Sequence, residues 1–367
     1  MPEVSPDVSL ARWTTLGLGG PARRMIAANS VDEIVQSVRS AGDGPALVLA
    51  GGSNVVIGDD GFPGVVVLIQ SAGWTVTAAD DNTVDLVVQA GQNWDDFVAF
   101  TVAEGLAGVE CLSGVPGSTG ATPIQNVGAY GQDVSEVITA VTVLDRLADE
   151  VVELSAAECD FAYRGSRFKH NDRWVVLSVA MRLARSPLST PIRYAELARR
   201  LGVEPGDHVP LEQVRAAVLA LRRGKGMVLD PEDPDTRSVG SFFMNPVLSA
   251  SAYQMFLAKA DARLSLDPAS AGRTAARSEK TSPAPATWPE ADGKVKVSAA
   301  WLIENAGFRK GYARGGAAIS GKHTLALTNR GGRTEDLLEL AREVRDGVHA
   351  RFGVTLRPEP VLINCEL

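Results

Sequence analysis

Eighteen consecutive residues, Gly114-Val115-Pro116-Gly117-Ser118-Thr119-Gly120-Ala121-Thr122-Pro123-Ile124-Gln125-Asn126-Val127-Gly128-Ala129-Tyr130-Gly131, hold five glycines, two prolines and no charge. Such a run forms no regular strand, and its small side chains suit tight backbone packing around a flat ligand and its phosphates. An earlier stretch shares this character. Ala46–Ala50 reads as a buried strand that runs into Gly51-Gly52-Ser53-Asn54 and on into Val55-Val56-Ile57. Glycines there let backbone N–H groups approach an anion, as in a phosphate-binding nest. Taken alone, the stretch reads equally well as a hairpin turn. It is no P-loop, because neither a helical pattern nor Gly-Lys-Ser/Thr follows. Gly17-Leu18-Gly19-Gly20-Pro21-Ala22 imitates the dinucleotide fingerprint, but no apolar strand precedes it and Pro21 interrupts it. It reads as a turn.

Around these loops, short β-branched runs alternate with amphipathic patterns, which favours α+β or α/β. Strands are expected at Ala46–Ala50, Val65–Ile69, Val84–Ala90, Val137–Leu144, Trp174–Leu183 and Val361–Asn364. A helix is expected after Thr334 as cap, with Glu335 and Asp336 in its first turn and Gly353 as its stop. Its buried face would carry Leu337, Leu340, Ala341, Val344 and Val348. A second helix is expected over Leu211–Arg223. Leu266–Gly293 is rich in Ser, Ala, Pro and charge, reads as a surface loop, and should be dispensable for catalysis.

With 367 residues, two or three domains are expected. A net charge of −8 disfavours a nucleic-acid or anionic-membrane surface. Cys111, Cys159 and Cys365 are widely spaced and form no C-x-x-C, which fits a reducing compartment. The four histidines, His170, His208, His323 and His349, show no ligand spacing, so no metal is expected. No secretory signal is evident, and the apolar stretches fall short of the roughly 20 residues that span a bilayer. The expectation is a soluble, cytoplasmic protein.

The two glycine loops resemble the phosphate- and isoalloxazine-contacting loops of FAD-binding domains of the vanillyl-alcohol-oxidase type. The second also resembles that of the UDP-N-acetylenolpyruvoylglucosamine reductases of peptidoglycan synthesis. Matching motifs follow in order: Tyr163-Arg164-Gly165-Ser166-Arg167-Phe168-Lys169, Gly240-Ser241-Phe242-Phe243-Met244-Asn245-Pro246, Ala300–Gly307, Lys310-Gly311, Gly315–Ala318 and Pro358-Glu359. The matches span nearly the whole chain. The resemblance implies an α+β fold: a two-part FAD-binding domain (1–72 and 73–185, with 354–367 folding back) and an α/β substrate domain (186–353).

It further implies that NADPH reduces FAD and that UDP-N-acetylglucosamine enolpyruvate is then reduced to UDP-N-acetylmuramate. Its implied catalytic set is Arg164, Ser241 and Glu359. The chemistry agrees: hydride delivery to an enol ether conjugated to a carboxylate leaves an enolate-like charge, which needs a cation and a proton donor. Arg164 suits the first task and Ser241 the second, while Glu359 either polarises the carboxylate or organises the donors. Cofactor contacts are expected at Gly51, Gly52, Ser53, Asn54, Gly114, Gly117, Ser118, Thr119, Gly120, Asn126, Gly128 and Ala129. Substrate contacts are expected at Tyr194, Arg222, Lys225, Asn245 and His323. Tyr194 resembles the capping tyrosine of members with an extra lid segment. Arg222 and Lys225 read equally as cations at a helix C-terminus. Lys322-His323 departs from the glutamines common in the family, so His323 reads equally as a surface residue, and Pro360 stands where an aliphatic residue is common. Neither glycine loop carries a histidine, so FAD is expected to be non-covalent. Rival readings are an oxidase of the same fold acting on a small alcohol and a non-catalytic nucleotide-sugar-binding module. Oligomeric state and protein partners are not legible.

Overall fold

The computed structural model describes residues 3–42, 44–266 and 284–367. Strand Pro21–Ala28 leads into helix Val31–Arg39, where the Ser30 hydroxyl accepts from the Glu33 N–H at 3.2 Å and Ile34, Val35 and Val38 are buried. These belong to a four-stranded sheet ordered Glu3–Ser9, Pro21–Ala28, Phe62–Ile69, Ala46–Leu49. The last three strands run parallel, and the first pairs antiparallel with its neighbour. An antiparallel sheet follows, ordered Glu150–Ser155, Ile138–Asp145, Trp174–Arg185, Thr83–Gln89, Trp74–Ala79, with Leu106–Ala107 pairing the end of the central strand. Strict alternation of buried and half-buried residues along Thr83–Gln89 marks a strand packed on one face. One core fuses both sheets, Ile26, Ile34 and Val67 joining Leu86, Val88, Phe97, Val141 and Val179.

Helices Ala195–Leu201 and Leu211–Gly224 form a smaller core around Ile192, Leu197, Val214 and Val218. Beyond them, helix Thr334–Phe352 packs on a sheet of Ala313–Arg314, Ala317–Ile319 and Leu327–Asn329. Its expected apolar face is buried with Phe242, Phe256 and Trp301, and Leu16, Leu18 and Val56 from the first part of the chain enter the same core. Val361–Ile363 then returns to pair in parallel with Val55–Ile57. The run after Gly51–Asn54 is therefore no hairpin, because Ala46–Leu49 and Val55–Ile57 lie in different sheets.

Two expectations are corrected. Thr334 is the first helical residue rather than the cap, and its hydroxyl donates to the Ile57 carbonyl at 2.7 Å. The first-turn amides of Thr334 and Glu335 instead donate to the Asp59 carboxylate at 2.9 and 3.1 Å. A long-range acid thus serves the helix N-terminus, which local spacing cannot reveal. The expected loop is also shorter at both ends. Leu266 closes helix Ala250–Leu266, and Thr287–Pro289 pairs with Val295–Val297. Residues 267–283 lie outside the described residues. No described helix is long and apolar enough to cross a membrane.

Asp59→Ala should destabilise the protein by about 1–2 kcal/mol, the usual cost of losing a helix cap. Urea unfolding measures it. An unchanged midpoint would mean that water serves those amides equally well.

Candidate active site

A cavity of about 1000 Å³ is lined by both glycine loops, by the helical region after Arg185 and by the last domain. The loops touch backbone to backbone. A Cβ on Gly51 would stand 2.6 Å from the Gly117 Cα, and one on Gly52, at φ +57°, would collide with the Trp13 carbonyl. The Ser53 hydroxyl donates to the Pro116 carbonyl at 2.9 Å, and the Asn54 amide donates to Gln125 Oε1 at 2.6 Å. Backbone N–H groups of Gly51, Gly52, Ser53 and Asn54, and of Gly117 and Ser118, have no acceptor among the described residues. Unpaired amides on touching loops beside a large cavity fit the diphosphate of a dinucleotide such as FAD.

Of the expected cofactor contacts, Gly51, Gly52, Ser53, Asn54, Gly120, Gly128 and Ala129 line this cavity. Gly114, Gly117, Ser118, Thr119 and Asn126 are not in its wall. Gly114, Thr119 and Asn126 support the loop from behind, while Gly117 and Ser118 leave their amides free at the contact between the loops among the described residues. Gly114 receives the Arg222 Nε at 3.1 Å on its carbonyl, and its N–H donates to Asp95 at 2.6 Å. Asn126 spends its side chain on the Ala162 carbonyl and the Ser135 N–H. Thr119 is fully buried and donates to the Gln92 carbonyl. Ser118 lines a second cavity of about 500 Å³ with Gly51, Arg12 and Trp13.

Arg164, Ser241 and Glu359 all line the main cavity. Arg164 Nε lies 3.2 Å from Glu359 Oε1, its Nη2 donates to the Gly128 carbonyl at 2.7 Å, and Asp133 stands 3.8 Å away. Burial pushes the Glu359 carboxyl above its ordinary pKa, opposed by the positive charges of Arg164 and Lys169. Ser241 is held by its neighbours: Phe242 donates to Leu325, Met244 to Arg357, and Glu359 to Phe242, all through main-chain amides at 2.7–3.0 Å. The buried rings of Phe242 and Phe243, edge to face at 5.0 Å, anchor that segment. No described residue hydrogen-bonds the Ser241 hydroxyl.

Tyr194, Arg222, Lys225, Asn245 and His323 line the same cavity. Arg222 is only 8% exposed, and its guanidinium donates to the Gly114 and Met227 carbonyls rather than to a carboxylate. A buried cation with neutral partners retains attraction for an anion. Lys225 pairs with Glu196 at 2.7 Å and lies 5.8 Å from the Tyr130 ring centroid, which meets Tyr194 edge-on at 5.5 Å. Asn245 Oδ1 accepts the Ala299 N–H at 2.9 Å. His323 is no surface residue. Burial and the charges of Lys225 and Lys310 lower its pKa to about 4, with Glu196 opposing and Arg222 adding, so it is neutral at pH 7. Sequence reading passed over several wall residues. Tyr130, next to last in the glycine run, holds a left-handed conformation, φ +49°. Trp288 belongs to the part of the chain that composition reads as loop, and Lys296 follows just after it.

Comparison with known proteins extends this picture. Residues 22–155 match the FAD binding domain family, and residues 231–363 match the family described as UDP-N-acetylenolpyruvoylglucosamine reductase, C-terminal domain. The fold is that of an FAD-binding oxidoreductase. The UDP-N-acetylenolpyruvoylglucosamine reductase of Salinispora arenicola is 58% identical over 373 residues, covering 100% of this chain and 98% of the relative. That of Thermobifida fusca is 58% identical over 365 residues, covering 98% of each. The crystal structure of the corresponding reductase from Thermus caldophilus aligns over 99% of this chain and 100% of that one, with a TM-score of 0.64 at 23% identity. The chain belongs to the UDP-N-acetylenolpyruvoylglucosamine reductase family.

Two outcomes follow from the geometry. Gly51→Ala forces the loops apart and should lower FAD occupancy, read as the ratio of flavin to protein absorbance; full occupancy would show that the contact is slack. His323 resists protonation only when folded. Below its ordinary pKa of 6.5 the unfolded chain gains a proton that the native one refuses, so stability falls as pH drops from 6.5 towards 4. His323→Gln should remove roughly 2 kcal/mol of that loss at pH 4.5. Paired denaturant melts at pH 4.5 and 7.5 test this, and parallel behaviour of the two proteins would exclude it.

Proposed function

We propose that this chain reduces UDP-N-acetylglucosamine enolpyruvate to UDP-N-acetylmuramate, with Arg164, Ser241 and Glu359 as its catalytic residues. The carrying observation is the Arg164–Glu359 pair at 3.2 Å, on the wall of the cavity that also holds Ser241 and the amide-rich glycine loops. When bound, FAD carries hydride from NADPH to the enol-ether carbon. The Arg164 guanidinium binds the substrate carboxylate and stabilises charge delocalised onto it. Ser241, whose hydroxyl has no hydrogen-bond partner among the described residues, gives its proton to the carbon where that charge collects. Glu359, raised in pKa, keeps Arg164 oriented and interacts with the carboxylate when protonated.

The substrate diphosphate falls to Arg222 and Lys225, with Tyr194 closing over it and Asn245 and His323 offering neutral polar contacts. Residues 1–185 with 354–367 form the FAD-binding part, and 186–353 the substrate part. Neither glycine loop contains His or Cys, which supports non-covalent binding. The three cysteines are unpaired, which supports a reducing, cytoplasmic setting.

The test separates the half-reactions by stopped-flow absorbance of the flavin. Ser241→Ala should be reduced by NADPH at close to the normal rate. Its reoxidation by the enolpyruvyl substrate should slow by roughly 10²–10⁴-fold, as for loss of a positioned acid. Ser241→Cys should recover part of that. Equal slowing in both halves would assign Ser241 to shaping the flavin site.

A further inference from the structure

The motif that carries Arg164 ends in a further cation whose work the reaction scheme leaves unassigned. Lys169 lines the cavity, and its ammonium donates to two main-chain carbonyls, that of Arg164 at 3.1 Å and that of Glu359 at 3.3 Å. Lys169 and Glu359 are 190 residues apart in sequence, so this side chain ties the FAD-binding part to the returning tail. Arg164 sits at φ +53°, a conformation that a residue with a side chain holds only under outside constraint. The ammonium on its carbonyl supplies such a constraint. The guanidinium then reaches the Glu359 carboxylate at 3.2 Å, which closes a ring of contacts through Lys169, Arg164 and Glu359. Holding an ammonium here has a cost, since burial draws the Lys169 pKa down while Glu359 opposes the shift. An aliphatic side chain of equal length would fill the space without that cost.

We propose that Lys169 is a positioning residue of the substrate half-reaction: it fixes the Arg164 guanidinium against the Glu359 carboxyl and sets the second positive charge beside that carboxyl. The inference rests on the roles proposed above for Arg164 and Glu359. Arg164 and Lys169 are the cations acting on the carboxyl; Asp133 stands beyond Arg164, and His170 adjoins Lys169. Without Lys169, a carboxyl already raised by burial keeps one cation instead of two, and its midpoint moves up.

The experiment uses the FAD-loaded full chain with Lys169→Met and Lys169→Arg. It reads flavin absorbance in the separate half-reactions and the pH titration of the ¹³C-labelled Glu359 carboxyl, assigned with Glu359→Gln. Lys169→Met should leave NADPH reduction within about threefold and slow reoxidation by the enolpyruvyl substrate ~10²-fold, the scale of a small misplacement of a reacting group. The Glu359 midpoint should rise by about one pH unit, and Lys169→Arg should restore most of both effects. Should Lys169→Met fail to fold, Lys169→Gln keeps a donor, drops the charge and reads the same midpoint. An unmoved midpoint with normal reoxidation overturns the proposal. Equal slowing of both halves with flavin loss and no rescue by arginine also overturns it, leaving Lys169 as a structural tie. If the unmodified protein itself is not reoxidised by the enolpyruvyl substrate, the proposed function fails, while the carboxyl titration still decides for or against Lys169.

Discussion

Three residue pairs carry much of this architecture: Val361–Ile363 laid in parallel against Val55–Ile57. The pairing places Glu359 within reach of Arg164, on a segment nearly two hundred residues away, and anchors the chain just after the first glycine loop. It also lets Leu16, Leu18 and Val56 share a core with the last domain. Non-local pairing of this kind is costly in chain entropy until the packing beneath it forms. The cavity wall is therefore a product of the whole fold rather than of any one domain.

The charges around the cavity follow one physical pattern. Arg222 hydrogen-bonds carbonyls alone, with the Asp95 carboxylate acting on it from farther off while bound to Arg215, whereas Lys225 and Arg164 each keep a carboxylate in direct contact. The cation without a directly bonded carboxylate retains its pull on an anion; the paired ones are held in place and can exchange their carboxylate for that of a ligand. His323 stays neutral among these cations first because burial disfavours an imidazolium, and then because a positive ring would add to their mutual repulsion. The net charge of −8 says nothing of this local inversion of sign.

Much was legible in the sequence. Strand Thr83–Gln89 announces itself by β-branched content, Ala46–Leu49 by its apolar run before the glycines, and the helix Thr334–Phe352 by the period of its apolar face. That the glycine loops, Arg164, Ser241 and Glu359 share one cavity was foreshadowed by several motifs standing in order along the chain. The illegible parts depend on partners distant in sequence. Asp59 serves a helix that begins at Thr334, and no local pattern joins them. Gly114 and Asn126 look like ligand contacts by composition, yet their polar groups are committed inside the protein. Trp288 lay within, and Lys296 just after, a stretch whose composition suggested no structure, and a short antiparallel pairing brings them to the wall.

The contact of Gly51 on Gly117 has an evolutionary consequence. When two side chains collide, a second substitution can trim the partner and restore the fit. Here main chain rests on main chain, with the added atom 2.6 Å from the Gly117 Cα, so there is nothing on the other side to shorten. Gly117 itself, at φ +118°, has a conformation closed to other residues. Such a pair drifts neither singly nor in concert. Among relatives it should be recognisable as two positions that stay fixed without covarying, an exception to the rule that spatial neighbours leave a correlated trace.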